Sequence, residues 1–172
     1  MDNLKQFTDE EIVAMIQQDQ VGMADLVDSG ICPTCFNREH NNVLYGDNTA
    51  KILYEDKDIE CFLVGNPRAV GHVAVSSKKH YKDMMEIDDK LCTKVFLFAK
   101  SAMNIIKSVY KAKSVYLCTM CDGPMNHFHI QLIPRYSFEK RGSTNFVKDR
   151  KEYIEDMDTI GLLRKKMKNI QY

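Results

Sequence analysis

The sequence predicts an α+β fold: an antiparallel sheet of about five strands packed on one long helix, with further helices before and after it. Three observations predict it. Short strand-like runs follow one another: "KILYE" (51–55), "ECFLVGN" (60–66), "GHVAVSS" (71–77), "SVYLCTM" (114–120) and "HFHIQLI" (127–133). One amphipathic segment, from about Asp88 to Lys111, separates the third run from the fourth. The chain has 172 residues, 44% of them hydrophobic, which suits one compact domain with terminal additions.

The elements follow in order. Thr8 and Glu11 form the sequence pattern of a capping box. Ile12, Met15, Ile16, Met23, Leu26 and Val27 continue at helical spacing, and Gly30 is a natural stop, so residues 1–30 read as an N-terminal helical extension. "ICPTCFNREHNN" (31–42) reads as a polar knuckle of turn formers. The first three strands are joined by turns at "EDKD" and "PRAVG". The long helix presents Leu91, Val95, Phe98, Ala102, Ile105, Ile106 and Val109 as one apolar stripe. The last two strands are joined through "CDGPMN", and Pro134 is expected to close the second of them. Residues 31–145 form the central domain on this reading. Residues 146–172 form a helical tail packed on it, broken near Gly161.

Composition excludes some roles. Lys plus Arg equals Asp plus Glu, at 24 each, so no net charge draws the chain to nucleic acid or anionic membrane. Residues 1–30 carry seven acids and one base, and "RKKMK" (164–168) is basic, which reads as a solvated helix face. No apolar run approaches the ~18 residues of a membrane span, and the polar start is unlike a secretory signal. A cytoplasmic location is expected, with thiols kept reduced. Cys61, Cys92 and Cys118 then read as small core residues, while Cys121 is ambiguous.

The last strand carries the chemistry. Side chains alternate along a strand, so His127, His129 and Gln131 are expected on one face and Phe128, Ile130 and Leu132 on the other. Successive members of the polar row stand about 7 Å apart. The plain alternative is an exposed polar face, but two imidazoles and a carboxamide solubilise poorly in a chain that uses Lys and Glu freely. An imidazole held on a strand is positioned to attack phosphorus. It must be neutral at the attacking nitrogen, and a hydrogen bond from its other nitrogen to a carbonyl would fix that tautomer.

"HFHIQLIPR" resembles the His-φ-His-φ-His-φ-φ signature of the histidine-triad superfamily, with Gln131 in the third His position. The Gln version is similar to the His-x-His-x-Gln of galactose-1-phosphate uridylyltransferases and related nucleotidyl transferases. "FLVGNPRAVGHVAVSSKKHY" resembles the N-terminal half of the same superfamily, and the two blocks span roughly residues 32–136. The resemblance implies a HIT-like fold, a homodimer and a nucleotide or nucleotide-sugar substrate. It makes His129 the nucleophile, His127 the first member and His72 a histidine near the active site; for His72, a satisfied half-buried histidine is the alternative. Asn66, Gly123 and Asn126 are the expected nucleotide contacts. The "DGP" turn offers backbone N–H groups to a phosphate. Val64 stands where relatives carry an Asp or Asn for the ribose, and Asn66 is its nearest substitute. The loop before His127 also looks shorter than in hydrolase members.

Cys32 and Cys35 form a C-x-x-C, which by itself specifies neither redox nor metal use. The resemblance supplies two more ligands, His80 and His127, and so implies a Cys₂His₂ zinc site. Four protein ligands leave no position for water, so the role is structural. His40 and Cys121 are rival ligands.

A carboxamide has no useful pKa, so Gln131 can donate a hydrogen bond to a phosphoryl oxygen but cannot protonate a leaving group. The expected chemistry is a two-step transfer through nucleotidyl-His129, with phosphate, a sugar phosphate or water as acceptor. Arg135, Lys140 and Arg141 beyond the strand read as solvated. Two other functions compete: a non-catalytic zinc-containing nucleotide-binding or interaction module of the same fold, and a zinc-containing nucleic-acid binder, which the balanced charge disfavours.

Overall fold

The computed structural model describes residues 3–44, 51–153 and 156–171. Its centre is a five-stranded antiparallel sheet: β1 (Ile52–Glu55), β2 (Ile59–Leu63), β3 (Val73–Ser77), β4 (Ser114–Cys118) and β5 (His129–Arg135), in the order β1-β2-β3-β5-β4. Every pairing is antiparallel, and β5 lies between β3 and β4. The predicted α+β architecture is the one observed.

One sheet face is apolar because alternate residues are. Cys61, Leu63, Val73, Val75, Ile130 and Leu132 pack with Phe128 against the long helix α4 (Asp89–Tyr110). The α4 stripe meets them through Leu91, Val95, Phe98, Ala102 and Ile106, each 9% exposed or less. The Asp88 side chain accepts from the Leu91 N–H at 2.7 Å and caps the helix start. Lys111, with φ at 56°, turns the chain out of it.

Four local expectations are corrected. The stretch from Thr8 to Gly30 is two helices, α1 (Asp9–Gln17) and α2 (Met23–Asp28). Asp19, with φ at 57°, and Gly22, the N-cap of α2, break what the apolar spacing reads as one. The Thr8/Glu11 capping box is present. The "ICPTCFNREHNN" knuckle contains a helix, α3 (Pro33–Glu39), with Pro33 in its first turn, where a missing N–H costs nothing. Pro134 lies inside β5. Its ring nitrogen is on the edge towards β3, and β3's pairing with β5 stops at Leu132, so no ladder bond is lost. Gly161 does not break the tail. It is an exposed position within α6 (Met157–Met167), which follows the one-turn α5 (Thr144–Val147).

Helix α6 completes the main core, with Ile160, Leu163 and Met167 buried beside α4 and β1. A second, smaller core holds Leu4, Ile12, Ile16, Val21 and Leu26 with Phe36 of α3. The helix that carries the C-x-x-C pair therefore packs with the N-terminal helices. No helix among the described residues is long and apolar enough to cross a membrane.

Candidate active site and metal centre

The face of β5 opposite α4 carries His129 and Gln131. His129 Nδ1 lies 2.9 Å from the His127 carbonyl oxygen. A carbonyl only accepts, so Nδ1 carries a proton, and in the neutral ring the lone pair is then on Nε2. Gln131, only 6% exposed, places its carboxamide nitrogen 3.4 Å from that Nε2. The His129 carbonyl is held from β4, where Thr119 just past the strand end donates its hydroxyl at 2.9 Å. Together these contacts hold a half-buried imidazole in one orientation, with Nε2 beside an N–H donor.

His72 stands at the entrance to β3, 1% exposed. Its Nδ1 accepts from the Arg68 N–H at 3.1 Å, so its proton is on Nε2. Burial pushes the imidazole down to about 3; the Arg150 and Arg68 charges add to this, and a side-chain interaction with Gln131 opposes it. His72 Nε2 and Gln131 Oε1 are both buried without a hydrogen bond of normal length. The backbone before His72 requires Gly71. It has φ of +72°, and a Cβ there would lie 2.5 Å from the Tyr110 ring.

His127 precedes β5. Its Nε2 donates to the Ser77 carbonyl at 2.8 Å, which turns Nδ1 towards α3. There it lies 3.5 Å from Cys32 Sγ and 3.4 Å from Cys35 Sγ, and His80 Nδ1 is 3.5 Å from Cys35 Sγ. All four ligand atoms lie within 4.8 Å of one another. Tetrahedral zinc, with bonds of about 2.3 Å to sulfur and 2.0–2.1 Å to nitrogen, places S and N ligands about 3.6 Å apart. The donor set therefore fits such an ion in both chemistry and spacing, and the Ser77 contact is the kind of outer hydrogen bond that orients a ligating histidine. Burial, then the Cys32 thiol, pushes the Cys35 thiol up to about 12 in the metal-free geometry. His40, the rival ligand, instead faces Asp9 at 3.4 Å and packs at a tilt against the Phe36 ring. Cys121 contacts Thr119.

A family model for the HIT domain matches residues 45–138, more than half of the chain. The chain belongs to the histidine-triad (HIT) family. A HIT-like protein of Methanocaldococcus jannaschii, itself uncharacterised, is 35% identical over 108 residues, covering 55% of this chain and 75% of its own. Among solved structures, the chain is similar to a histidine triad nucleotide-binding protein of Sulfolobus tokodaii. That pair has 23% identity and a TM-score of 0.62, and the match covers 80% of this chain and 93% of that one. It is also similar to a zinc-bound histidine triad protein of Mycobacterium smegmatis, with 18% identity, a TM-score of 0.61 and the same coverages of 80% and 93%. At these identities the two structures show a shared fold.

Within the HIT domain, the other expected contacts fare differently. The Gly123 N–H, expected to face a phosphate, donates to Asn126 Oδ1 at 3.0 Å, so these two residues close their own loop. Asn66 is exposed, and its carbonyl accepts from Arg150. Arg135, expected in solvent, is 7% exposed; it donates to Ser114 Oγ and to the Tyr136 and Glu139 carbonyls. Sequence reasoning missed Ser77, which orients His127, and the Arg68–Arg150 pair beside His72. Ser77 acts partly through its backbone, which carries no sequence signal, and the arginines come from segments far apart in the chain.

Proposed function

We propose that this HIT protein is a nucleotide-processing enzyme acting at the α-phosphorus of a nucleotide derivative through a covalent nucleotidyl-His129 intermediate. The observation that carries the reading is the His129 tautomer, with its proton spent on the His127 carbonyl and its Nε2 lone pair beside Gln131. In the first step Nε2 forms a bond to phosphorus as the bond to the departing oxygen breaks. The electron pair stays on that oxygen. In the second step an oxygen of phosphate, a sugar phosphate or water forms the new bond as the phosphorus–Nε2 bond breaks; His129 leaves neutral with its Nδ1 proton, and a water acceptor releases its proton to solvent. Gln131 donates its N–H to a non-bridging oxygen, where negative charge grows. It cannot protonate the leaving group, which favours groups that depart as stable anions and favours transfer or phosphorolysis, as the likeness to uridylyltransferases suggests.

In this reading Cys32, Cys35, His80 and His127 hold one structural zinc ion, which ties α3 to the start of β5. His72, Asn66 and Asn126 border the nucleotide site, a homodimer is the working assembly, and six unpaired thiols suit the cytoplasm.

The test is intact-protein mass spectrometry after incubation with nucleoside diphosphate sugars and dinucleoside polyphosphates. The expected result is a nucleotidyl adduct on wild type, absent from His129→Ala, with the far-UV circular dichroism of the variant unchanged. No adduct and no turnover across that panel would leave a binding module in its place.

A further inference from the structure

Beside His72 lie two arginines, Arg68 and Arg150, that make no ion pair among the described residues. Arg68 lies in the turn before β3, and Arg150 lies between α5 and α6. Each is fixed by the other's segment: Arg68 Nη1 donates to the Lys148 carbonyl at 2.6 Å, and Arg150 Nη1 donates to the Asn66 carbonyl at 2.8 Å. The Lys151 N–H adds a third strap to the Pro67 carbonyl at 3.0 Å. A guanidinium has five donors, so most of this pair's donors are unspent among the described residues. Arg68 Nε is buried with no partner. Lys148 is neutralised by Glu139 at 2.7 Å, but neither arginine makes an ion pair among the described residues.

The pair sits by the reacting face. Arg68 bonds His72 through its own N–H. Its charge also reaches Cys118, where burial raises the thiol and Arg68 opposes that shift. Cys118 is the cross-strand partner of Gln131. Arg68 thus lies, with His72, on the Gln131 side of the site. The two positive charges feel each other: burial, and then Arg68, makes the charged form of Arg150 less favourable. Two like charges anchored on backbone carbonyls at one junction of the chain, with no ion-pair partner among the described residues, suit a multivalent oxyanion.

We infer that Arg68 and Arg150 form a receiving site for the anionic group that leaves the α-phosphorus, a phosphate or longer phosphate chain. This rests on the catalytic reading above. As His129 Nε2 bonds to phosphorus, the bridging P–O bond breaks and its pair remains on the departing oxygen. The group gains one negative charge and takes no proton. The arginines meet that charge where Gln131 offers no acid. In the reverse sense, the same seat holds an incoming phosphate acceptor.

Two measurements test it. Inorganic pyrophosphate is titrated calorimetrically into wild type, Arg68→Gln, Arg150→Gln and, as a control at an exposed charge, Lys151→Gln, each checked for an unchanged melt. Binding is expected to weaken roughly tenfold or more in each arginine variant and less than about threefold in the control. No binding by wild type, or equal losses in all variants, overturns the site. If Arg68→Gln misfolds, the exposed Arg150 decides alone. Second, kcat/KM is compared for a phosphoanhydride and a phosphoramidate of one nucleoside. Arg150→Gln is expected to reduce the first roughly tenfold and the second less than threefold; equal reductions overturn the inference. Arginine-dependent pyrophosphate binding with no adduct on His129 keeps the site and removes the catalytic reading. An adduct with pyrophosphate binding indifferent to both arginines does the reverse.

Discussion

His72 and His129 are both imidazoles on or beside one sheet, yet their surroundings give them different work. His129 has one nitrogen tied to a carbonyl and the other open to the site. His72 is enclosed, accepts from a backbone N–H and stays neutral far below the ordinary histidine range. That difference has a consequence for acid stability. The folded protein does not protonate His72 until about pH 3, whereas the unfolded chain does so near its ordinary 6.5. Below 6.5 the unfolded state binds more protons, so this contribution is full above that pH and is lost as pH falls towards 3. Urea unfolding at pH 7 and pH 4 is expected to show a drop of about 2–3 kcal/mol from this group, and His72→Asn is expected to reduce the drop. An unchanged pH dependence in the variant would show that His72 is protonated in the fold.

Elements were legible in the sequence where one period ran without interruption. The α4 stripe and the alternation along β5 are of this kind, and both appear in the fold within a residue or two at the ends. Helix α3 was hidden because Pro33 and the residues after it suit a turn as well as a helix start. The break between α1 and α2 was hidden because the apolar spacing resumes in phase after Gly22. The candidate metal ligands were legible only by resemblance, since no local pattern joins Cys32 and Cys35 to a histidine beside β5. On the proposed zinc reading, their convergence makes α3 dependent on the ion. Metal analysis is expected to find about one zinc per chain. Stripping it with a chelator is expected to lower the melting temperature by roughly 5–10 °C, and His127→Ala is expected to cost more than His80→Ala, because His127 is buried and also bonds Ser77. A melt indifferent to chelation would dismiss the ion.

At the scale of the molecule, two cores share the work. The small one gathers the N-terminal helices and α3. The large one joins the sheet to α4 and is finished by α6, whose Leu163 is fully buried and whose Met167 sulfur lies 3.7 Å from the Cys61 sulfur. Leu163→Ala is expected to destabilise by about 2–5 kcal/mol, read as a lower urea midpoint. A loss below about 1 kcal/mol would mean that α6 rests on the core without completing it. The direction of synthesis gives this packing a further meaning. A ribosome delivers every strand of the sheet before it delivers residues 160–167. Until then the part of the apolar surface of β1 and α4 that α6 buries has no cover. That interval is when a chaperone would find the most to hold.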